Sequence, residues 1–200
     1  MSLSISTPKS FSSEYWEKTW RERISKDKVT MNGEKLNFIT TMLWQRTQYI
    51  ESVKLDIGCG SGIHALRMKN LNPLWVKSWT GIDESKFAVD WGKSKGLNMI
   101  HGDVITTEFD RKFDLFLLLD VLEHITSHEL LAIKMKGIAK DKFSVFGNIP
   151  LYRSQHSEEF ERYMDINVLM KFLKDLGCNN FWHDIYGIKG YPYMVFEACV

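Results

Sequence analysis

Three glycines at alternate positions, Gly58, Gly60 and Gly62, stand between the strand-like run Val53 to Ile57 and the helix-compatible segment Ile63 to Lys69. Glycine adopts backbone angles closed to other residues and leaves no Cβ between the chain and a ligand. A strand that ends in such a loop can turn sharply and present bare backbone to a polar group. A helix opening near Gly62 aims unpaired N–H groups at the same place, which suits a carboxylate or a phosphate.

Around this unit, strand-like and helix-like segments alternate. Apolar spacing predicts helices over 13–23 and 33–49, then strands over 76–82, 98–101, 113–119, 143–149, 181–186 and 193–199. Helices are expected over 86–95, 127–139 and 165–177, the last closed by Gly177. Phe113 to Leu119 is apolar except for Asp114, the pattern of a strand buried on both faces. Gly187 to Gly190 reads as a hairpin into the last strand. Alternation of this kind implies a parallel sheet covered on both faces, here finished by an antiparallel strand. The two N-terminal helices are expected to cover one edge of it.

The totals narrow the field. A chain of 200 residues suits one domain overall, divided as a flexible tail over 1–13, a helical cover over 14–50 and a core over 51–200. With 26 Lys+Arg against 25 Asp+Glu there is no general electrostatic drive toward nucleic acid. Cys59, Cys178 and Cys199 are odd in number and far apart, so neither a disulfide framework nor a Cys-rich zinc site is indicated. No segment reaches the ~18 apolar residues of a membrane span, and the N-terminus lacks a secretion signal. The expectation is a soluble, cytoplasmic protein.

The loop departs from two nucleotide fingerprints. Ile63 stands where G-x-G-x-x-G requires its third glycine, and the Gly-Lys-Ser/Thr ending of a P-loop is missing. The chain instead resembles the class I S-adenosylmethionine-dependent methyltransferases, with motifs similar to those of the ubiquinone-type O-methyltransferases. Leu55-Asp-Ile-Gly-Cys-Gly-Ser-Gly62 is similar to that family's first motif. Gly81-Ile82-Asp83, Gly102-Asp103, Phe113-Asp114-Leu115 and Asp120-Val-Leu-Glu-His-Ile125 follow in register over about residues 50 to 150.

The resemblance implies an α/β, Rossmann-like, seven-stranded and mostly parallel sheet with helices on both faces and a C-terminal antiparallel strand. It implies S-adenosylmethionine as cofactor and S-adenosylhomocysteine as product, held by Asp56, Gly58, Cys59, Gly60, Gly62, Asp83, Glu84, Asp103, Val104 and Asp120. Asp83 is the expected ribose acceptor, with capping of the next helix as a compatible role. Asp103 is expected to meet the adenine amino group.

Catalytic candidates are Asp120, Glu123, His124 and His156. On a helix the first three would share a face and, with His156, would offer a site for a divalent metal; a base or pocket role without metal is favoured. The expected partner is a small-molecule methyl acceptor with an O or N nucleophile. An RNA substrate, met through Tyr152, Arg153, Lys189 and the N-terminal helices, is the alternative, and a non-catalytic S-adenosylmethionine-binding module is a third. Tyr15, Trp16 and Trp20 are read as core residues or as part of a lid. His64, His101, His128 and His183 are read as surface or satisfied core histidines.

Overall fold

Phe113–Leu119 (β4) explains how the molecule is layered. Phe116 and Leu118 enter one apolar core, whereas Leu115, Leu117 and Leu119 enter another on the opposite face of the sheet; Phe113, before a register shift against β5, joins the first. A period of two in the apolar run from Leu115 to Leu119 can be satisfied only if both faces are covered. The one polar residue, Asp114, pairs with Lys140. The computed structural model describes residues 13–26, 33–47, 51–151, 166–188 and 191–200.

The other strands are β1 (Lys54–Ile57), β2 (Trp79–Asp83), β3 (Met99–His101), β5 (Ala139–Pro150), β6 (Asn180–Ile188) and β7 (Tyr191–Cys199). Their order is β3-β2-β1-β4-β5-β7-β6. The first five run parallel, and β7 runs antiparallel to both its neighbours, β5 and β6. This is the expected α/β sheet, finished by an antiparallel strand.

Among the described residues six helices flank it: α1 (Ser13–Ser25), α2 (Gly33–Thr47), α3 (Ile63–Leu71), α4 (Lys86–Ser94), α5 (His128–Ile138) and α6 (Ile166–Leu176). Leu131, Ala132 and Met135 of α5 and Leu169, Phe172 and Leu173 of α6 fill one core. Ile39 and Leu43 of α2, Ala65 and Met68 of α3 and Val89 of α4 fill the other. Burial at each of these larger side chains contributes about 2 kcal/mol. Among the described residues no helix is long and apolar enough to cross a membrane.

Three expectations are corrected. The second strand begins at Trp79 and not at Val76, because Trp75–Ser78 forms a 3-10 turn. That turn drives the Trp75 indole into the core, where its N–H donates to Thr47 Oγ1 at 3.0 Å. The N-terminal helices do not cover a sheet edge: α2 packs into the core beneath the sheet, while α1, which has no buried residue, lies along α4. Finally, Asp120 is not on a helix, since only Leu122–His124 coil, as a 3-10 turn.

Candidate functional site

Strand order reverses between β1 and β4, and at such a point a parallel sheet opens a crevice beyond its carboxyl ends. The glycine loop lies there. Gly58, Gly60 and Gly62 all have positive φ, at 66°, 55° and 73°. Loop N–H groups of Gly58 and Cys59 donate to the Ile82 carbonyl at 2.9 and 3.2 Å, which ties the loop to β2. A Cβ at Gly58 would stand 2.4 Å from Val121 Cγ2, so the loop also passes hard against the end of β4.

Asp83 ends β2 and braces this arrangement. Its Oδ2 accepts from the Gly60 N–H at 2.7 Å and its Oδ1 from the Ser85 N–H at 2.9 Å. Each carboxylate oxygen keeps a second lone pair, so both remain able to accept from a ligand hydroxyl. Burial raises the Asp83 pKa, and the two backbone donors oppose that rise. The helix cap proper is Ser85, whose Oγ accepts from the Ala88 N–H at 3.2 Å.

The remaining candidates on this side also reach the cleft. Asp103 Oδ1 accepts from the Ile105 N–H at 2.8 Å, a turn-forming bond, and the residue lines the cleft with buried Val104 and exposed Glu84. Asp56, 2% exposed, accepts from the Trp79 indole N–H through Oδ2 at 3.3 Å. Its Oδ1 is buried and has no hydrogen-bond partner among the described residues. Burial pushes the Asp56 pKa up to about 8. Burial likewise raises the Cys59 thiol, which leaves it a neutral wall of the cleft.

Across the cleft, Asp120 follows β4 with φ 51°, a left-handed backbone unusual outside glycine. Its Oδ1 accepts from both Lys35 Nζ and Asn148 Nδ2 at 2.7 Å. Its Oδ2 is buried without a partner among the described residues. Glu123 is buried, with Oε1 3.9 Å from His124 Nε2, and the His124 ring meets Trp16 edge-on at 5.0 Å. Among the described residues no group of three or more His, Cys, Asp and Glu side chains is placed to hold a metal. The Lys35 ammonium already supplies a cation to Asp120 Oδ1. His156, like Tyr152, Arg153 and Lys189, lies outside the described residues.

Several cleft residues escaped the sequence reading. Lys35 reaches Asp120 across 85 residues and sits 4.1 Å over the Tyr193 ring. His64, at the start of α3, is 8% exposed; its Nδ1 lies 3.3 Å from Thr40 Oγ1 and its Nε2 has no partner among the described residues. Burial drives the His64 pKa down to about 4, so the ring is neutral at physiological pH. No local motif marks either residue. His101 meets the Glu84 carbonyl and His128 the Leu122 carbonyl, while the exposed His183 stacks on Phe181. Together the two sides enclose a cleft of about 590 Å³, within the range of small-ligand sites, and α1 contributes Tyr15, Trp16, Trp20 and Arg23 to its wall.

Comparison with known proteins fits this geometry. Residues 55–142 match the family described as methyltransferase domain. Over that stretch the chain is similar to the class I S-adenosylmethionine-dependent methyltransferases. A sequence relative is the mitochondrial ubiquinone biosynthesis O-methyltransferase of Schizosaccharomyces pombe, 32% identical over 104 residues, which are 48% of this chain and 36% of that protein. The match thus spans only about a third of the relative's length. Among solved structures, the magnesium protoporphyrin IX methyltransferase of Synechocystis PCC 6803 with bound S-adenosylhomocysteine superposes with a TM-score of 0.69 at 15% identity, over 94% of this chain and 97% of that one. A methyltransferase of Thermotoga maritima, described as a possible histamine N-methyltransferase, gives 0.69 at 13% identity over 92% and 98%. At such identities the likeness is one of fold, and the chemistry of this chain has to be read from its own cleft.

Proposed function

We propose that this protein binds S-adenosylmethionine and transfers its methyl group to the oxygen or nitrogen of a small molecule. The observation that carries the reading is the pairing of a bare-backbone loop with Asp83. The loop can receive the methionine portion, while Asp83, fixed by Gly60 and Ser85, has lone pairs for both ribose hydroxyls. Asp103 and Val104 lie where the adenine would extend, and Asp56 Oδ1 offers a buried acceptor near the methionine ammonium. An arriving ammonium would favour the ionised form of Asp56, so binding near neutral pH would be coupled to loss of its proton.

In the transfer, a lone pair of the acceptor forms the new bond to carbon as the carbon–sulfur bond breaks, and the sulfur leaves as a neutral thioether. The leaving group is already activated, so orientation of the two reactants supplies much of the acceleration. An acceptor hydroxyl must also lose a proton. His124, with Glu123 beside it, and Asp120, held by Lys35 and Asn148, are the groups on the acceptor side able to receive or direct that proton.

A labelled-methyl screen over cell metabolites and total RNA tests the proposal. Label entering a low-molecular-weight O- or N-methyl product is the expected result. Incorporation into RNA alone, or donor binding without any transfer, would refute the small-molecule reading.

A further inference from the structure

Helix α1 brings a tryptophan to the centre of the donor side. Its anchor is Glu17, whose Oε2 accepts from Ser85 Oγ at 2.9 Å and from the Phe87 N–H at 3.0 Å. Glu17 thereby satisfies an otherwise unpaired donor in the first turn of α4, and these bonds lower its pKa against the opposing effect of burial. Arg21 adds a contact over the Phe87 ring at 4.6 Å. One turn further along α1 from Glu17, the half-buried Trp20 lies on the glycine loop: a Cβ at Gly60 would stand 2.1, 2.6 and 3.0 Å from its Cζ2, Cη2 and Cε2.

That position has a chemical meaning. Gly60 is the loop residue whose N–H meets Asp83, so the indole covers the junction between the backbone cradle and the ribose acceptor. The atom joining the methionine and ribose portions of the donor is its sulfur, which carries a full positive charge before transfer and none after it. An aromatic face attracts a cation within about 6 Å of its centroid and gains nothing comparable from a neutral thioether. The ring is reachable by a cation, since the Arg23 guanidinium lies 5.3 Å from its centroid.

We propose that Trp20 roofs the donor sulfur and makes the site prefer the charged donor over its neutral product. This rests on the methyltransferase reading above. The consequence is a built-in aid to turnover: neutralisation of the sulfur during transfer removes an attraction that held the donor, so the product is released more readily.

The test is calorimetric titration of S-adenosylmethionine and S-adenosylhomocysteine into the full chain and into Trp20→Leu and Trp20→Phe. Because α1 buries no residue, these changes do not reach the core, and unchanged melting temperatures check this. Trp20→Leu should weaken the donor about tenfold and the product less than about threefold, whereas Trp20→Phe should keep most of the preference. Equal weakening of both ligands would overturn the proposal and leave the indole a plain wall. Tighter binding of both would also overturn it, since the indole would then stand in the ligand's place. A parent chain that binds neither ligand would instead defeat the methyltransferase reading itself.

Discussion

The two sides of the cleft are built on different principles. On the donor side, backbone hydrogen bonds from Gly58 and Cys59 to Ile82 tie the loop to β2, and every donor to the Asp83 carboxylate, at Gly60 and Ser85, is a backbone N–H. On the acceptor side, Asp120 is held by side chains from α2 and β5, in a strained backbone conformation, with one carboxylate oxygen unpaired among the described residues. Backbone pairing survives side-chain drift, so one donor geometry can serve many acceptors. Side-chain pairing is easily rewritten. On the proposed function, specificity for the acceptor is expected to reside on the acceptor side.

Substitutions can break that contrast. The largest effect is expected at Gly58, where a Cβ meets Val121 and φ is 66°. Gly58→Val should abolish detectable donor binding in a thermal-shift or calorimetric assay; retained binding would mean the loop is not the cradle. Next comes Lys35→Met, which strips the cation from a largely buried carboxylate. It should cost about 3 kcal/mol of stability in urea unfolding. Where the chain remains folded, it should lower turnover about tenfold or more while changing donor affinity less than about threefold. A parallel loss of donor affinity would merge the two sides into one.

The third effect is a pH profile. Asp56 has a folded pKa of about 8 against an ordinary carboxyl near 4, so the native state holds its proton longer and stability falls as pH rises through that interval. His64, at about 4 when folded and 6.5 when unfolded, acts oppositely: its stability is present above pH 6.5 and lost as pH falls toward 4. Below pH 6.5 the two cancel. Between pH 6.5 and 8 Asp56 acts without the opposition of His64, and its part of the unfolding free energy should fall by about 2 kcal/mol. Asp56→Asn should flatten that decline; an unchanged slope would place its origin elsewhere. The smallest effect is expected from chelation: with Asp120 already paired to Lys35, exhaustive treatment with a metal chelator should leave turnover unchanged, and a loss restored by one divalent ion would return a metal to the acceptor side.

The same contrast explains what the sequence disclosed. The donor side was legible because its residues fall in short runs at strand ends, so that Gly58 to Gly62, Asp83 and Asp103 could be placed from spacing and resemblance. The alternation of strands and helices was legible for the same reason, and the misplacement of β2 came from Val76, a β-branched residue that lies in a 3-10 turn. The acceptor side was not legible, and neither was the anchoring of α1 on the donor side. Lys35 with Asp120 and Glu17 with Phe87 are joined over 85 and 70 residues, and no local pattern encodes such a pair. Asp120 was assigned a helical face with Glu123 and His124, but its φ of 51° takes it out of the helix and turns it toward Lys35 and Asn148.

Equilibrium titration of S-adenosylmethionine into the protein and into Asp83→Ala tests the central claim most directly. The account predicts saturable binding at one site per chain and a loss of about a hundredfold in the variant, the worth of two hydrogen bonds to a charged group. No binding by the parent chain, or equal affinity in the variant, would contradict it.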